Sequence, residues 1–230
     1  MENPTYQAIF ERIQAGQFQA ALNVLSEALV NSPGDPHLLY YAGLAHRRLN
    51  NYSEAAKYYR ESIEIDPSNP SVHLGLGISY QLQGSYEKAI ESLKAAINLD
   101  RNFPEAHNSL GFTYSNMGKY RQALECYECA AEAIMEIAFS RPAKDGQRYF
   151  PSEVTTDGKN VLMMTPEAFD RIETILKSNL MWAINRNNIG SCLAAMGEKP
   201  RAKEMFEESI RFIPEGVKYD APSFGLKDLS

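Results

Sequence analysis

Cysteine is scarce in this chain, three in 230 residues, and an odd number without a framework spacing points to a reducing compartment, with the cytoplasm as the expected place. Basic runs are missing as well. No stretch of Lys or Arg is longer than pairs such as Arg47-Arg48, and a net charge of −6 with a pI near 5.3 leaves no stripe for a phosphate backbone, so nucleic acid is excluded as the expected partner. No apolar run approaches the roughly 18 residues of a membrane span, and the opening MENPTYQAIFERIQAG has neither the basic start nor the unbroken apolar stretch of a signal peptide. Membrane insertion is therefore not expected. Absent too are GxSxG, the phosphate-binding GxxxxGK, a GxGxxG following a strand, and HExxH. Without a visible carrier of chemistry, the chain reads as a non-enzyme that needs no cofactor.

What is present is a period. The segments YAGLAHRRLNNYSEAAKYYRESIEIDP, GLGISYQLQGSYEKAIESLKAAINLD and SLGFTYSNMGKYRQALECYECAAEA superimpose at a constant step of thirty-four positions. Gly43, Gly77 and Gly111 mark the steps, and each is followed by Ala55, Ala89 or Ala123; Gly190 with Ala202 repeats the pair once more. Small residues at these places suit two antiparallel helices that approach closely, glycine facing alanine. Pro36, Pro70 and Pro104 suit first turns, Gly84, Gly118 and Gly197 suit helix stops, and Asp66-Pro67 closes a second helix.

This pattern resembles the tetratricopeptide repeat, a helix–turn–helix unit. The resemblance implies an all-α fold, a right-handed α-α superhelix with one concave face, and a role in binding protein. Four units match closely, 36–69, 70–103, 104–137 and 183–216, with Tyr80/Tyr114, Tyr59/Leu93/Tyr127/Phe206 and Pro67/Pro214 at signature places. Residues 2–35 make a degenerate first unit, as suits an end that meets water, and 217–230 an irregular tail whose Pro and Gly content argues against a capping helix. The family's tryptophan place is taken by Leu39, His73, His107 and Arg186.

The period breaks once. Gly190 comes more than two full steps after Gly111, so 138–182 is an insertion between the fourth and fifth helix pairs. It reads as an extension of the preceding helix to Phe139, then a β-hairpin turning at Asp157-Gly158, then a helix opened by Thr165-Pro166-Glu167. In the hairpin Val154 faces Val161 and Ser152 faces Met163, placing Phe150, Val154, Val161 and Met163 on one side. A two-stranded hairpin is not stable alone, so it packs on its own neighbours, covers the groove, or docks a partner.

Carried over from the family, the first helix of each unit lines the ligand groove. That assigns Tyr6, Phe10 and Ile13; Tyr40, Leu44 and Arg47; Leu74, Ile78 and Gln81; Asn108, Phe112 and Asn116; and Asn187, Ser191 and Ala194. The strip is apolar at its amino end and polar beyond, which fits a peptide or amphipathic helix with aliphatic or aromatic anchors, asparagines being free to hold its backbone. Two other roles stay open, self-assembly into homo-oligomers and service as an enzyme accessory whose hairpin gates a ligand. Family members that grip the C-terminal carboxylate of heat-shock proteins need Lys and Arg at set places, which hold Tyr6, Phe10, Tyr41, Ser71 and Gly75 here, and no shift of unit restores the cations. That partner is not expected. Cys126 and Cys129 lie within a helix with no second ligand pair, and His73 and His107, at equivalent places about 8–10 Å apart, are too distant to share a metal.

Overall fold

The same turn recurs wherever one helix of a pair gives way to the next. Gly16, Asn50, Gly84, Gly118 and Gly197 all take φ between 63° and 83°. In each case the following N–H donates to a carbonyl five residues back, Gln17 to Arg12, Asn51 to His46, Ser85 to Tyr80, Lys119 to Tyr114 and Glu198 to Leu193, at 2.8–2.9 Å. This is the left-handed helix stop that glycine favours, and asparagine is among the few other residues that enter it readily, which is why Asn50 can stand in. The computed structural model describes residues 4–140, 152–156, 159–163, 176–177, 179–219, 225–226 and 229, with the backbone alone for 139–140 and for the strands.

Among the described residues lie five helix pairs: α1 (Pro4–Gln14) with α2 (Phe18–Asn31), α3 (Pro36–Arg48) with α4 (Tyr52–Ile65), α5 (Pro70–Leu82) with α6 (Tyr86–Leu99), α7 (Pro104–Asn116) with α8 (Tyr120–Ser140), and α9 (Leu180–Ala195) with α10 (Lys199–Arg211). Asp35 caps α3 by accepting from His37 and Leu38 N–H, Asn69 caps α5 through Ser71, and Asn179 caps α9 through Met181. Pro36 and Pro70 occupy the first turn, where a missing N–H is harmless.

Inside the pairs, each of three glycines faces a large side chain most closely, and Gly77 also has the Ala89 carbonyl oxygen 3.3 Å from where its Cβ would lie. A Cβ on Gly43 would lie 2.8 Å from the Tyr59 ring, one on Gly77 2.7 Å from Leu93 and one on Gly190 2.8 Å from Phe206. The nearest neighbour of each glycine is thus a large side chain four residues beyond the alanine, because the helix carries that residue one turn further along the same face. The alanines Ala55, Ala89, Ala123 and Ala202 are fully buried alongside. Ser62 Oγ donates to the Pro36 carbonyl at 2.8 Å and Ser209 Oγ to the Ala183 carbonyl at 2.6 Å, tying each second helix to the start of its own first helix.

Residues 1–113 and 114–230 form two compact units. The first is cored by Ile9, Leu25, Leu38 and Ala42, continued by Ala55, Tyr59, Val72 and Leu76. The second is cored by Ile134, Leu176, Trp182 and Phe212. There α9 packs on α8, and Asn185, wholly buried, donates from Nδ2 to the Tyr127 carbonyl at 2.8 Å. The fifth pair therefore resumes against the helix that precedes the insertion.

Within the insertion, β1 (Ser152–Thr156) runs antiparallel to β2 (Lys159–Met163), with Val154 opposite Val161 and Ser152 opposite Met163. The turn at Asp157-Gly158, the side chains of the assigned apolar face and residues 164–175 of the following helix lie outside the described residues. The tail is not wholly irregular in its contacts, since a Cβ on Gly225 would fall 2.5 Å from Phe206 Cζ. Gly225 and Leu226, which are helical, thus bring the tail against the ring of the last unit.

Candidate functional site

In the first unit the first helices form a row. α1 touches α3, α3 touches α5, and Gln81 on α5 donates from Nε2 to the Ser109 carbonyl and to Thr113 Oγ1 on α7, at 3.0 and 2.7 Å. Four equivalent positions, each one repeat step from the next, run across this row: Phe10, Leu44, Ile78 and Phe112. Phe10 and Phe112 are each 45% exposed, and Leu44 and Ile78 are half-buried. Ile13, Tyr40, Arg47, Leu74 and Gln81 are half-buried beside them. The opposite sides of the same helices bury Ile9, Leu38, Ala42, Val72 and Leu76. An amphipathic helix should turn its apolar side inward, so a second apolar stripe left toward water is unpaired hydrophobic surface.

Three of the assigned residues behave differently from expectation. Tyr6 hydrogen-bonds through its hydroxyl to the Asp35 carboxylate, and its pKa is pushed up to about 12, by burial first and by Asp35 second. Its polar end is therefore spent on the cap of α3. Asn108 and Asn187 are 7% and 9% exposed, buried rather than free to hold a peptide backbone. Asn116 and Ser191 are exposed and Ala194 is half-buried; Asn116, Asn187, Ser191 and Ala194 belong to the second unit.

The electrostatics of the row concentrate at α3. His46 stacks on Tyr58 at 5.2 Å, and burial lowers its pKa. Tyr40 lies 5.3 Å from Tyr41 and 6.1 Å from Tyr59, ring centre to ring centre, and burial raises its pKa. Arg47 and Arg48 both act on Tyr40 and Tyr59, yet neither makes an ion pair among the described residues.

Chemistry of other kinds finds little footing. Cys126, Cys129 and Cys192 form no disulfide, Cys192 being buried with Sγ 3.9 Å from Ser115 Oγ. His73 and His107 each donate from Nε2 to the carbonyl six residues back, Pro67 and Arg101, at 2.9 Å, and so brace the entry to α5 and α7. Among the described residues no group of three or more His, Cys, Asp or Glu is placed to hold a metal ion, and no helix is long and apolar enough to cross a membrane.

Four sequence models of this repeat, described as tetratricopeptide or TPR repeat, match residues 11–70, 58–91, 82–118 and 104–133, running without a gap from 11 to 133. The chain is a tetratricopeptide repeat protein. No curated protein matches it in sequence. Solved tetratricopeptide structures share its fold across nearly its whole length. TTC0263 of Thermus thermophilus is 15% identical, with 100% of this chain and 99% of that one covered and a TM-score of 0.64. MamA from Desulfovibrio magneticus RS-1, residues 41 to the end, is 14% identical over 90% and 92% with a TM-score of 0.63. YrrB, described as a TPR protein with an unusual peptide-binding site, is 17% identical over 97% and 91% with a TM-score of 0.60.

The repeat also explains what sequence reading overlooked. In the first unit the residue sixteen places after the large second-helix residue belongs to the next first helix, giving the pairs Leu25–Tyr41, Tyr59–Gly75 and Leu93–Ser109. Where the first member is Tyr59, the second is a glycine, and a Cβ there would lie 2.5 Å from Tyr59 Cζ. Gly75 thus opens a notch through which the hydroxyl end of Tyr59 reaches the seam between α3 and α5. The signal was legible only as Gly75 falling off the repeating glycine series.

Proposed function

We propose that the chain is a non-catalytic scaffold that binds a peptide or an amphipathic helix of a partner protein along the first-helix row of residues 4–113. The observation that carries this reading is the stripe Phe10, Leu44, Ile78 and Phe112, four apolar side chains at one repeat position that stay open to water. An apolar stripe of that period matches anchors spaced along an extended chain or one helix face. The likeness to YrrB, whose description names a peptide-binding site, agrees with it. Three cysteines that form no disulfide support a reducing compartment such as the cytoplasm.

Leu44→Glu and Ile78→Glu place charge on the stripe while leaving the buried sides of α3 and α5 intact. Affinity capture from the source cell should lose the proteins that wild type retains, with the helical circular dichroism unchanged. Undiminished recovery by both variants ends this reading.

A further inference from the structure

Beside the apolar stripe stands a polar side chain whose orientation the fold dictates. Gln81 lies one turn after Ile78 on α5, and its Nε2 reaches across to α7, donating to the Ser109 carbonyl at 3.0 Å and to Thr113 Oγ1 at 2.7 Å. Thr113 directs its own proton to the same carbonyl, at 2.8 Å, so its oxygen is left to accept from Gln81. Both acceptors require the amide nitrogen on this side, and both amide protons are engaged. Oε1 is the other end of the same group; it meets no donor among the described residues and is not sealed from water. Phe112 neighbours Thr113 in sequence, so this acceptor is held between the Ile78 and Phe112 places of the stripe. The equivalent places one and two repeats earlier carry Arg47 and Ile13, whose side chains have no acceptor.

Resting on the groove reading above, we propose that Gln81 Oε1 receives a main-chain N–H of the bound segment, and that the segment is therefore an extended chain and not a helix. Interior N–H groups of an α-helix are taken by its own carbonyls, whereas a polyproline II chain has no internal hydrogen bonds and carries them free. The spacing of the stripe agrees. Neighbouring packed helices stand about 8–10 Å apart, and a polyproline II chain, with three residues per turn and a rise of about 3.1 Å each, returns to the same side every ~9.3 Å. A β-strand returns every ~6.7 Å, which falls short of one step. The ligand class is thus a segment with an aliphatic or aromatic residue at every third position, lying across the first helices. Proline is excluded at the residue that passes Gln81, because it has no N–H, and is tolerated between anchors elsewhere.

The test is selection of random displayed peptides on the full chain, followed by fluorescence anisotropy with the resynthesised winners. In each winner the amides are replaced one at a time by esters, which removes a single N–H. One interior ester should weaken binding roughly fivefold or more, and proline at the same residue at least as much. Gln81→Leu should weaken the all-amide peptide to a similar degree and make that ester harmless. The variant keeps the bond from Thr113 to the Ser109 carbonyl, so its helical circular dichroism should match wild type, and Gln81→Met gives the same readout. If Leu44→Glu abolishes binding but no interior ester matters, or the sensitive ester stays as harmful in both Gln81 variants, the acceptor is overturned and the groove stands. Winners that turn helical on binding, read by circular dichroism, overturn it in the same way. Binding indifferent to Leu44→Glu, or no winners at all, overturns the groove with it.

Discussion

Gly75 lies in the interior of α5, and helix propensity alone says that replacing it with serine stabilises by about 0.5 kcal/mol. The packing predicts the opposite sign. A Cβ at this position would sit 2.5, 2.8 and 2.9 Å from Tyr59 Cζ, Cε1 and Cε2, distances that real contacts do not reach. The ring is also confined by Gly43, where an added Cβ would be 2.8 Å from it. Overpacking of this kind costs about 1–3 kcal/mol, so Gly75→Ser should lose about 2 kcal/mol net. Tyr59→Leu in turn leaves a partly empty slot and should cost about 1–2 kcal/mol. Combined, the two substitutions install the pair that the next seam uses, Leu93 with Ser109, and should cost about 1 kcal/mol rather than the summed ~3–4. Urea denaturation followed by circular dichroism reads all four proteins. A double variant whose loss equals the sum of the singles to within about 0.5 kcal/mol refutes the claim that Tyr59 and Gly75 are shaped to each other.

Other consequences can be measured on the same material. Asn50→Gly removes the left-handed strain at φ 63° and should raise stability by about 0.5–1 kcal/mol, despite losing the exposed bond from Tyr52 to Asn50 Oδ1, as read by a shift in melting temperature. Ser209→Ala strands the buried Ala183 carbonyl and should cost about 1–3 kcal/mol in the same assay; no change would mean that the 2.6 Å bond contributes nothing net. Tyr6 and Tyr59 both have pKa values raised from 10.0 to about 12, so the folded chain holds these protons more tightly than the unfolded one. Their stabilisation is complete below pH 10 and falls away as pH rises from 10 through 12, and Tyr59→Phe should flatten that fall in urea midpoints taken at pH 9 and 11.5. Gly225→Val should drive the tail off Phe206 and expose its ring, seen as increased binding of an apolar dye without loss of helical signal.

How much of this was legible follows from what a period can carry. Helix ends, turns and the five pairs depend on local chemistry that recurs at every repeat step, so Gly84, Gly118 and the capping prolines disclosed them, and Asn50 could be placed from its neighbours in the series. The contact between Tyr59 and Gly75 depends instead on two residues sixteen apart on successive pairs, a relation invisible when each position is compared only with its own repeat. Hence the spacing pairs glycine with alanine, whereas the atoms nearest Gly43, Gly77 and Gly190 belong to Tyr59, Leu93 and Phe206. The same blindness affected the candidate site. Position in the row identified the stripe, but it could not show that Tyr6 had already given its hydroxyl to Asp35, or that Asn108 and Asn187 were enclosed. Nor could it single out Tyr59, which belongs to a second helix and reaches the seam only because Gly75 lacks a side chain. Repetition therefore specifies the scaffold, while features particular to one unit arise where that unit departs from the others, as at the α3–α5 seam, where Tyr59 fills the space that a side chain at position 75 would need.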